Sequence, residues 1–318
     1  MLDSVAPRAP GHYPAPANHI ENDPTPRDQA VYIPSVSPGY AIAAYAKNYT
    51  RALPAGVAAE DMNFLDPNNK LFKISHVMSS AGQALFQKEP CIIQARDRKA
   101  TMMIGDSGGY QIASGKLRIR NDADRMKILR WLEQNADWAM TLDVPTGPLL
   151  KAGYAFASYQ DCLNTTLSHL EFFRDNRRNG ETRFLNVLQG NDTKQSDHWY
   201  NAVKGFEFEG WAFAGKLRHN FFNLCRRIIM MAGEGQLDKK DWIHVLGTNE
   251  LEVGVGLTAL QRSINRHINP NLRISYDTSS AFRNIRWRNV YTVPAISKDG
   301  MTMPTVQCPD QRKLVGKT

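Results

Sequence analysis

One local pattern recurs along the sequence: a short apolar run that ends in an acidic, amide or glycine residue. Six such runs end at positions 106, 143, 189, 215, 247 and 277, which are separated by 37, 46, 26, 32 and 30 residues. A strand with its crossover helix needs roughly 30 or more residues. With two weaker strands upstream, at 71–77 and 91–95, the pattern predicts an α/β fold of eight strand–helix units, a (β/α)8 TIM barrel.

Segments with apolar residues at helical spacing lie between these runs. They are found at 124–134, 154–177, 194–206, 221–231 and 250–265. Thr248 and Asn249 are expected to cap the last of them. An open, doubly wound sheet is the alternative architecture, and it would bind a ligand at one switch point instead of gathering every polar strand end.

The first 38 residues differ in composition from the rest of the chain. They hold eight of the 17 prolines, which predicts an extended arm with little regular structure, either a loose tail or a binding arm. Residues 39–318 are then expected to form a single barrel domain with catalytic function.

Charge and cysteine usage limit the classes of function. The formal charge of +8 favours a polyanionic partner such as DNA or RNA. The sequence has no run of about 18 apolar residues and no basic segment followed by an apolar one, so no membrane attachment and a cytoplasmic location are expected. The cysteines show no C-x-x-C spacing, which predicts neither a metal site nor a disulfide framework.

In a barrel, residues at the carboxyl ends of the strands converge on one mouth. The converging set would contain three acids, an amide and two glycines, with an aromatic ring beside them: Asp106, Asp143, Gln189, Gly190, Gly215, Asp277 and Tyr110. Such a set suits a flat heterocycle with donor edges, and a further carboxylate can act as nucleophile or general base. Taken singly, Asp106 and Asp277 are more typical of helix N-caps than of catalytic residues, and it is their joint placement that favours a site.

The run from Asp106 to Gln111, Asp-Ser-Gly-Gly-Tyr-Gln, resembles the D-S-G-G-[FY]-Q signature of the tRNA-guanine transglycosylases. Shorter pieces follow in the order of that family: Leu-Asp-Val-Pro-Thr at 142–146, Val-Leu-Gln-Gly at 187–190, Ala-Phe-Ala-Gly at 212–215 and Val-Leu-Gly at 245–247. The likeness covers about residues 100 to 280. It implies a barrel enzyme that exchanges guanine in a polynucleotide for a 7-deazaguanine through a covalent glycosyl-enzyme, without a cofactor.

The resemblance also implies roles for single residues. Asp277 would be the nucleophile that attacks C1′, and Asp106 would assist proton transfer. Asp143 would bind the guanine edge. The remaining substrate contacts would come from the stacking ring, the amide and the small residues of the motifs, namely Tyr110, Ser107, Gly108, Gly109, Gln189, Gly190 and Gly215.

The sequence departs from the tRNA enzymes in two places. Thr-Ser-Ser follows Asp277 where the family has Pro-Thr-Arg, and the 41 residues after Asp277 contain one cysteine, Cys308, instead of a C-x-C-x-x-C cluster. We therefore expect no structural zinc and no zinc subdomain. These departures favour the bacterial and phage branch that inserts 7-deazaguanines into DNA. The same reaction on tRNA, a non-catalytic nucleic-acid-binding partner subunit and an unrelated barrel hydrolase are the alternatives.

Basic residues follow two of the polar strand ends and are expected to contact nucleic acid phosphates. They are Lys216, Arg218, Arg283, Arg286 and Arg288. A base inside duplex DNA must leave the stack to reach a barrel pocket. The sequence leaves open whether the protein forms a homodimer or needs a helper protein. The lone histidines, His244 among them, and Trp242 are interpreted as core or surface residues.

Overall fold

In a computed structural model of the protein, residues 28–49, 53, 55–216, 219–248, 250–298 and 300–308 are described. Eight parallel strands in this part of the chain form one sheet, in which β1 and β2 are the two ends of the strand order. The strands of the sheet are β1 (Val31–Pro34), β2 (His76–Ser80), β3 (Met102–Asp106), β4 (Trp138–Met140), β5 (Arg183–Leu188), β6 (Gly210–Phe213), β7 (Trp242–Val245) and β8 (Arg273–Thr278).

Helices lie between the strands and cover the outside of the sheet. They are α1 (Pro38–Ala46), α2 (Ala81–Ala84), α3 (Gly109–Ala113), α4 (Asp122–Asn135), α5 (Tyr159–Asn176), α6 (Thr193–Val203), α7 (Phe221–Gly233) and α8 (Leu251–His267), with short 3-10 turns at Ala59–Met62 and Gly147–Leu150. After β8 the chain forms α9 (Ser280–Trp287) and two short antiparallel ribbons, built from β9 (Asn289–Tyr291), β10 (Ala295–Ser297), β11 (Gly300–Thr302) and β12 (Thr305–Gln307).

The sheet closes on itself where β1 meets β2. Ser35 and Met78 form a parallel bridge, and the Val36 N–H donates to the Met78 carbonyl at 3.0 Å. On its other side β1 pairs with β8, so that Ile33 lies opposite Asp277. The predicted (β/α)8 barrel is therefore confirmed, and the open doubly wound sheet is excluded.

The first barrel strand lies where the sequence predicted the arm. Residues 31–34 belong to the sheet, although residues 1–38 were expected to have little regular structure. The apolar residues Val31 and Ile33 point into the barrel, and their burial outweighs the neighbouring prolines. The remainder of the predicted arm, up to residue 27, lies outside the described residues.

Two other expectations for the N-terminal half were wrong. The second strand begins at His76, five residues later than the predicted run at 71–77. Residues 91–95 form turns instead of a strand, in which the Ala95 N–H donates to the Cys91 carbonyl at 3.4 Å. Cys91, Ile92 and Ile93 of this run are still buried in the core, and burial without strand pairing explains why their hydrophobicity was misleading. At α8, the cap position is occupied by Glu250, which makes no side-chain capping bond.

Because side chains alternate between the two faces of the sheet along each strand, the protein has a hydrophobic core on each face. One face of the sheet packs against the helices, and the other fills the barrel interior with side chains such as Met102 and Ile104 of β3 and Trp138 and Met140 of β4. Because successive side chains of a strand point to opposite faces, the next residue in phase after Ile104 is Asp106. Strand periodicity thus delivers a carboxylate to the barrel mouth.

Within the described residues, no helix is long and apolar enough to span a membrane. The same part of the chain contains no group of three or more His, Cys, Asp or Glu side chains placed to hold a metal ion.

A buried ion pair ties the chain together at the end of the barrel opposite the mouth. Arg96 donates to the carboxylate of Asp137 at 2.8 Å and to the carbonyls of Thr101 and Asn135, both at 2.8 Å. Asp137 also accepts the N–H of Met103 at 2.9 Å. The pair therefore connects the segment before β3 to the start of β4.

We expect Arg96→Met to lower the free energy of unfolding by about 3–5 kcal/mol, because it leaves the buried Asp137 carboxylate with one partner fewer. Arg98→Met is the matched control. Arg98 donates to the same carboxylate at 3.0 Å but its side chain is 29% exposed, so its loss should cost about 1 kcal/mol. Urea unfolding of both variants measures the two values, and equal losses would contradict this account of the ion pair.

Candidate active site

Four polar side chains continue the inward-facing phase of their strands and meet at the barrel mouth. Each of them either lies two residues after a side chain that fills the barrel interior, or lies between two residues of its strand that point outward to the helices. Both positions place the side chain on the inner face of the sheet. They are Ser80 of β2, Asp106 of β3, Gln189 after β5 and Asp277 of β8.

Asp106 lies in the mouth beside Ser80, its register partner on β2. Burial raises the pKa of the Asp106 carboxyl above its usual value, and the nearby charge of Asp277 raises it further. Hydrogen bonds from the Ser80 hydroxyl and the Gly108 N–H oppose the shift without cancelling it. A carboxyl group with a raised pKa is suited to hold and deliver a proton.

The glycines that follow Asp106 serve packing as well as access. Gly108 has φ +108°, and a Cβ there would come within 2.8 Å of the Gly82 Cα, so the close approach of two backbones requires glycine. A Cβ on Gly109 would lie 3.4 Å from Asp143 Oδ1 and 3.3 Å from the Pro145 ring. Gly109 therefore borders the Asp143 side of the polar site, whereas Gly108 contacts Asp106 through its N–H and lacks a side chain so that α3 can pack against α2.

The side chains of Ser107 and Tyr110 have opposite surroundings. The Ser107 hydroxyl is buried and donates to the Thr141 carbonyl at 3.1 Å, so it joins the loops that follow β3 and β4. Tyr110 in α3 is 72% exposed. Its ring is available for stacking on a ligand, whereas any substrate contact of Ser107 is left to its main chain.

Asp143 and Gln189 form a buried pair. Gln189 donates through Nε2 to Asp143 Oδ2 at 2.6 Å, and both side chains are buried. Burial raises the pKa of Asp143 to about 7, the Gln189 hydrogen bond opposes the shift, and the negative charge of Asp106 adds to it. Gln189 Oε1 is a buried acceptor without a hydrogen bond in the described residues. The pair therefore has a hydrogen-bond acceptor available for a ligand.

The raised pKa of Asp143 predicts a pH dependence of stability. A folded-state pKa of about 7 lies above the ordinary value of 3.8, so the folded protein holds this proton more tightly than the unfolded chain. The resulting stability is fully present below the ordinary pKa and is lost as pH rises towards 7. We expect the difference in unfolding free energy between wild type and Asp143→Asn to fall by on the order of 4 kcal/mol between pH 4 and pH 8. Urea unfolding at both pH values measures it, and parallel pH profiles would contradict it.

Gly190 and Gly215 bring the ends of β5 and β6 together. Gly190 has φ +139°, and a Cβ there would come within 2.6 Å of the Ser196 N. A Cβ on Gly215 would lie 2.8 Å from the Gly190 carbonyl oxygen and 3.0 Å from Gln189 Oε1. The backbone of Gly215 thus borders the Asp143–Gln189 pair, as the sequence predicted.

Asp277 is held at the end of β8 by donors from β7 and its loop. Its Oδ1 accepts the Gly247 N–H at 2.7 Å and lies 3.3 Å from His244 Nε2. The His244 ring is fully buried. Asp277 is also buried, and it lies at the carboxyl end of β8 as Asp106 does at that of β3, so the two acids face the same end of the barrel.

The expected nucleic-acid contacts are only partly described. Lys216 follows the Gly215 turn and is exposed. Arg283 is exposed on α9, with its guanidinium 4.9 Å from the centre of the half-exposed Trp287 ring. Arg288 has φ +60° and follows α9 directly. Arg218 and the side chain of Arg286 lie outside the described residues.

Two further basic residues follow the Gly215 turn, in α7, and they make ion pairs within the protein. Arg226 and Arg227 both pair with Asp197 of α6, and Arg227 is buried beneath the Tyr200 ring. These cations hold α6 against α7, so they do not face a polyanion.

The sequence interpretation missed His244 and its neighbour Ser275. Both stand on inward-facing positions, since His244 is two residues after Trp242 of the interior core and lies opposite Ser275 in the register of β7 and β8. The alternation of inward- and outward-facing residues along β7 can be read from the sequence. It would have placed His244 inside the barrel, beside Asp277.

No family model matches the sequence, and no curated protein matches it either. The likeness to the transglycosylases therefore depends on the motifs between residues 106 and 247.

Proposed function

We propose that the protein is a base-exchange transglycosylase that replaces guanine in DNA with a 7-deazaguanine. The observation that carries the proposal is the meeting of three acids in three different environments at one barrel mouth. Asp277 accepts a main-chain hydrogen bond, Asp106 has a raised pKa, and Asp143 is paired with an amide. Environments that differ in this way are typical of acids with separate roles in one reaction.

The reaction would proceed in two displacements. The Asp277 carboxylate attacks C1′ of the nucleotide, the C1′–N9 bond breaks, and its electron pair stays on guanine, which takes a proton from Asp106. The incoming 7-deazaguanine then gives its N9 proton to the Asp106 carboxylate, and N9 attacks C1′ and displaces Asp277. The proton that leaves in the first half returns in the second, so no cofactor is needed.

Recognition of the base would fall to the buried pair. A carboxylate can accept from both the ring N–H and the exocyclic amine of guanine, so Asp143 suits that edge. The second N–H of the Gln189 amide and the main chain at Gly215 suit the carbonyl. The exposed ring of Tyr110 would stack on the purine, and base–aromatic stacking is worth about 1–3 kcal/mol.

A polynucleotide substrate is supported by the cations and aromatic ring that follow the same strand ends. Lys216 and Arg283 are exposed, and Trp287 is 52% exposed beside Arg283. Such groups neutralise phosphates and stack on unpaired bases. DNA is preferred over tRNA because the described residues 280–298 and 300–308 form a helix and short ribbons with one cysteine, where the tRNA enzymes that the sequence resembles have a metal-binding cysteine cluster.

Incorporation of labelled guanine tests the proposal. Purified protein is given labelled guanine with duplex DNA, single-stranded DNA or tRNA, and label is counted in the recovered polynucleotide. We expect label in DNA, in the single strand at least. Label in tRNA alone would overturn the choice of DNA, and label in none of the three would overturn base exchange.

A further inference from the structure

A chain of hydrogen bonds inside the barrel leads to the proposed nucleophile. Trp242 Nε1 lies 2.7 Å from Ser275 Oγ, which lies 2.7 Å from His244 Nδ1, and His244 Nε2 lies 3.3 Å from Asp277 Oδ1. All four side chains are buried. The chain crosses between β7 and β8, where His244 and Ser275 are register partners.

The donor and acceptor roles in this chain follow from its two ends. An indole N–H can only donate, so the Ser275 oxygen accepts from Trp242. The carboxylate of Asp277 can only accept, so His244 Nε2, which faces it, carries a hydrogen. The Ser275 hydroxyl keeps one hydrogen to donate, and His244 Nδ1 lies within its reach at 2.7 Å as the acceptor.

We propose that His244, held in its Nε2–H tautomer by Ser275 and Trp242, is a positioning residue for Asp277. This inference rests on the proposed function. The Nε2–H and the Gly247 N–H both donate to Oδ1, which leaves Oδ2 as the atom that attacks C1′. When the second displacement returns negative charge to the carboxylate, the same two donors stabilise it. Donors fixed in advance at the site of developing charge are an effective source of rate enhancement.

Replacement of His244 by two different residues tests the proposal. His244→Leu removes the donor, and we expect kcat for guanine exchange to fall about 100-fold with KM changed less than about twofold. His244→Gln places an amide N–H near the position of Nε2 and should recover most of the lost rate. Ser275→Ala frees the ring to change tautomer, and it should lower kcat by about tenfold. The matched control is His198→Leu, the same change at an exposed residue of α6, which should leave exchange unchanged.

The tautomer has its own spectroscopic readout. With ¹⁵N-labelled histidine, the wild-type His244 ring should show a protonated Nε2 and an unprotonated, hydrogen-bonded Nδ1. A ring protonated at Nδ1 alone, or at both nitrogens, would overturn the proposal even if a variant fails to fold. If the wild type exchanges guanine and the His244→Leu variant is equally active, the proposed role of His244 is overturned while the proposed function stands. Failure of the wild type to exchange guanine with any polynucleotide would instead overturn the proposed function, and the role of His244 with it.

Discussion

Asp277→Asn is expected to lower the rate of guanine exchange by about 10⁴-fold or more, because it removes the proposed nucleophile and with it the proposed covalent route. The asparagine Oδ1 can still accept from the Gly247 N–H and from His244 Nε2, which both contact Oδ1 in the wild type. The variant should therefore fold normally, with a melting temperature within a few degrees of the wild-type value. Loss of activity without loss of structure separates a chemical role from a structural one.

The measurement combines labelled-guanine exchange with a denaturing gel that detects the protein–DNA adduct. Asp241→Asn is the matched control, because Asp241 precedes β7 at the opposite end of the barrel and pairs with Arg183 there. It should exchange guanine at the wild-type rate. An Asp277→Asn protein within about tenfold of the wild type, or one that still forms the adduct, would mean that the nucleophile lies elsewhere.

Asp106→Asn is expected to have the second-largest effect, a loss of about 10²–10⁴-fold in exchange, which is the usual contribution of a positioned proton donor. The pKa of Asp106 is raised by burial and by the charge of Asp277, so the acid form persists to higher pH than in an ordinary aspartate. In the proposed reaction, release of guanine in a single turnover requires that form, so the rate of release should fall as pH rises through the raised pKa. The asparagine variant should lack this fall.

Single-turnover release of guanine across a pH series measures both effects. Asp122→Asn at the start of α4 is the control, since that carboxylate is exposed and pairs with Arg125 of its own helix. A variant at position 106 that keeps the wild-type pH profile would show that another group supplies the proton.

The barrel was predictable because its strands obey two simple rules. Runs of roughly 30-residue spacing predicted β3 to β8, and the polar residue that ends each run is where the structure has a strand end. The N-terminal strands were harder to predict. β1 is four residues long and stands among prolines, whereas the run at 91–95, buried at Cys91, Ile92 and Ile93, has strand-like composition but forms turns. An apolar composition predicts that a run is buried. Whether the run forms a strand depends on pairing with residues that are distant in the sequence.

The site was predictable only as a set of strand ends. Its motifs placed Asp106, Asp143 and Asp277 together, but the interactions that tune each acid come from other strands. His244 looked like an ordinary core residue because Ser275 and Asp277, its partners, lie 31 and 33 positions away. The role of Gly108 was likewise hidden, since the Gly82 backbone that excludes a side chain there belongs to a different helix.

The central claim is a covalent glycosyl-enzyme on Asp277, and peptide mapping of the trapped adduct tests it most directly. Wild-type protein is incubated with single-stranded DNA in the absence of a replacement base, denatured, digested with protease and nuclease, and analysed by mass spectrometry. The account predicts a nucleotide remnant on the peptide that contains Asp277, attached through the carboxylate. A remnant on Asp106, Asp143 or another residue, or guanine exchange without any adduct, would contradict it.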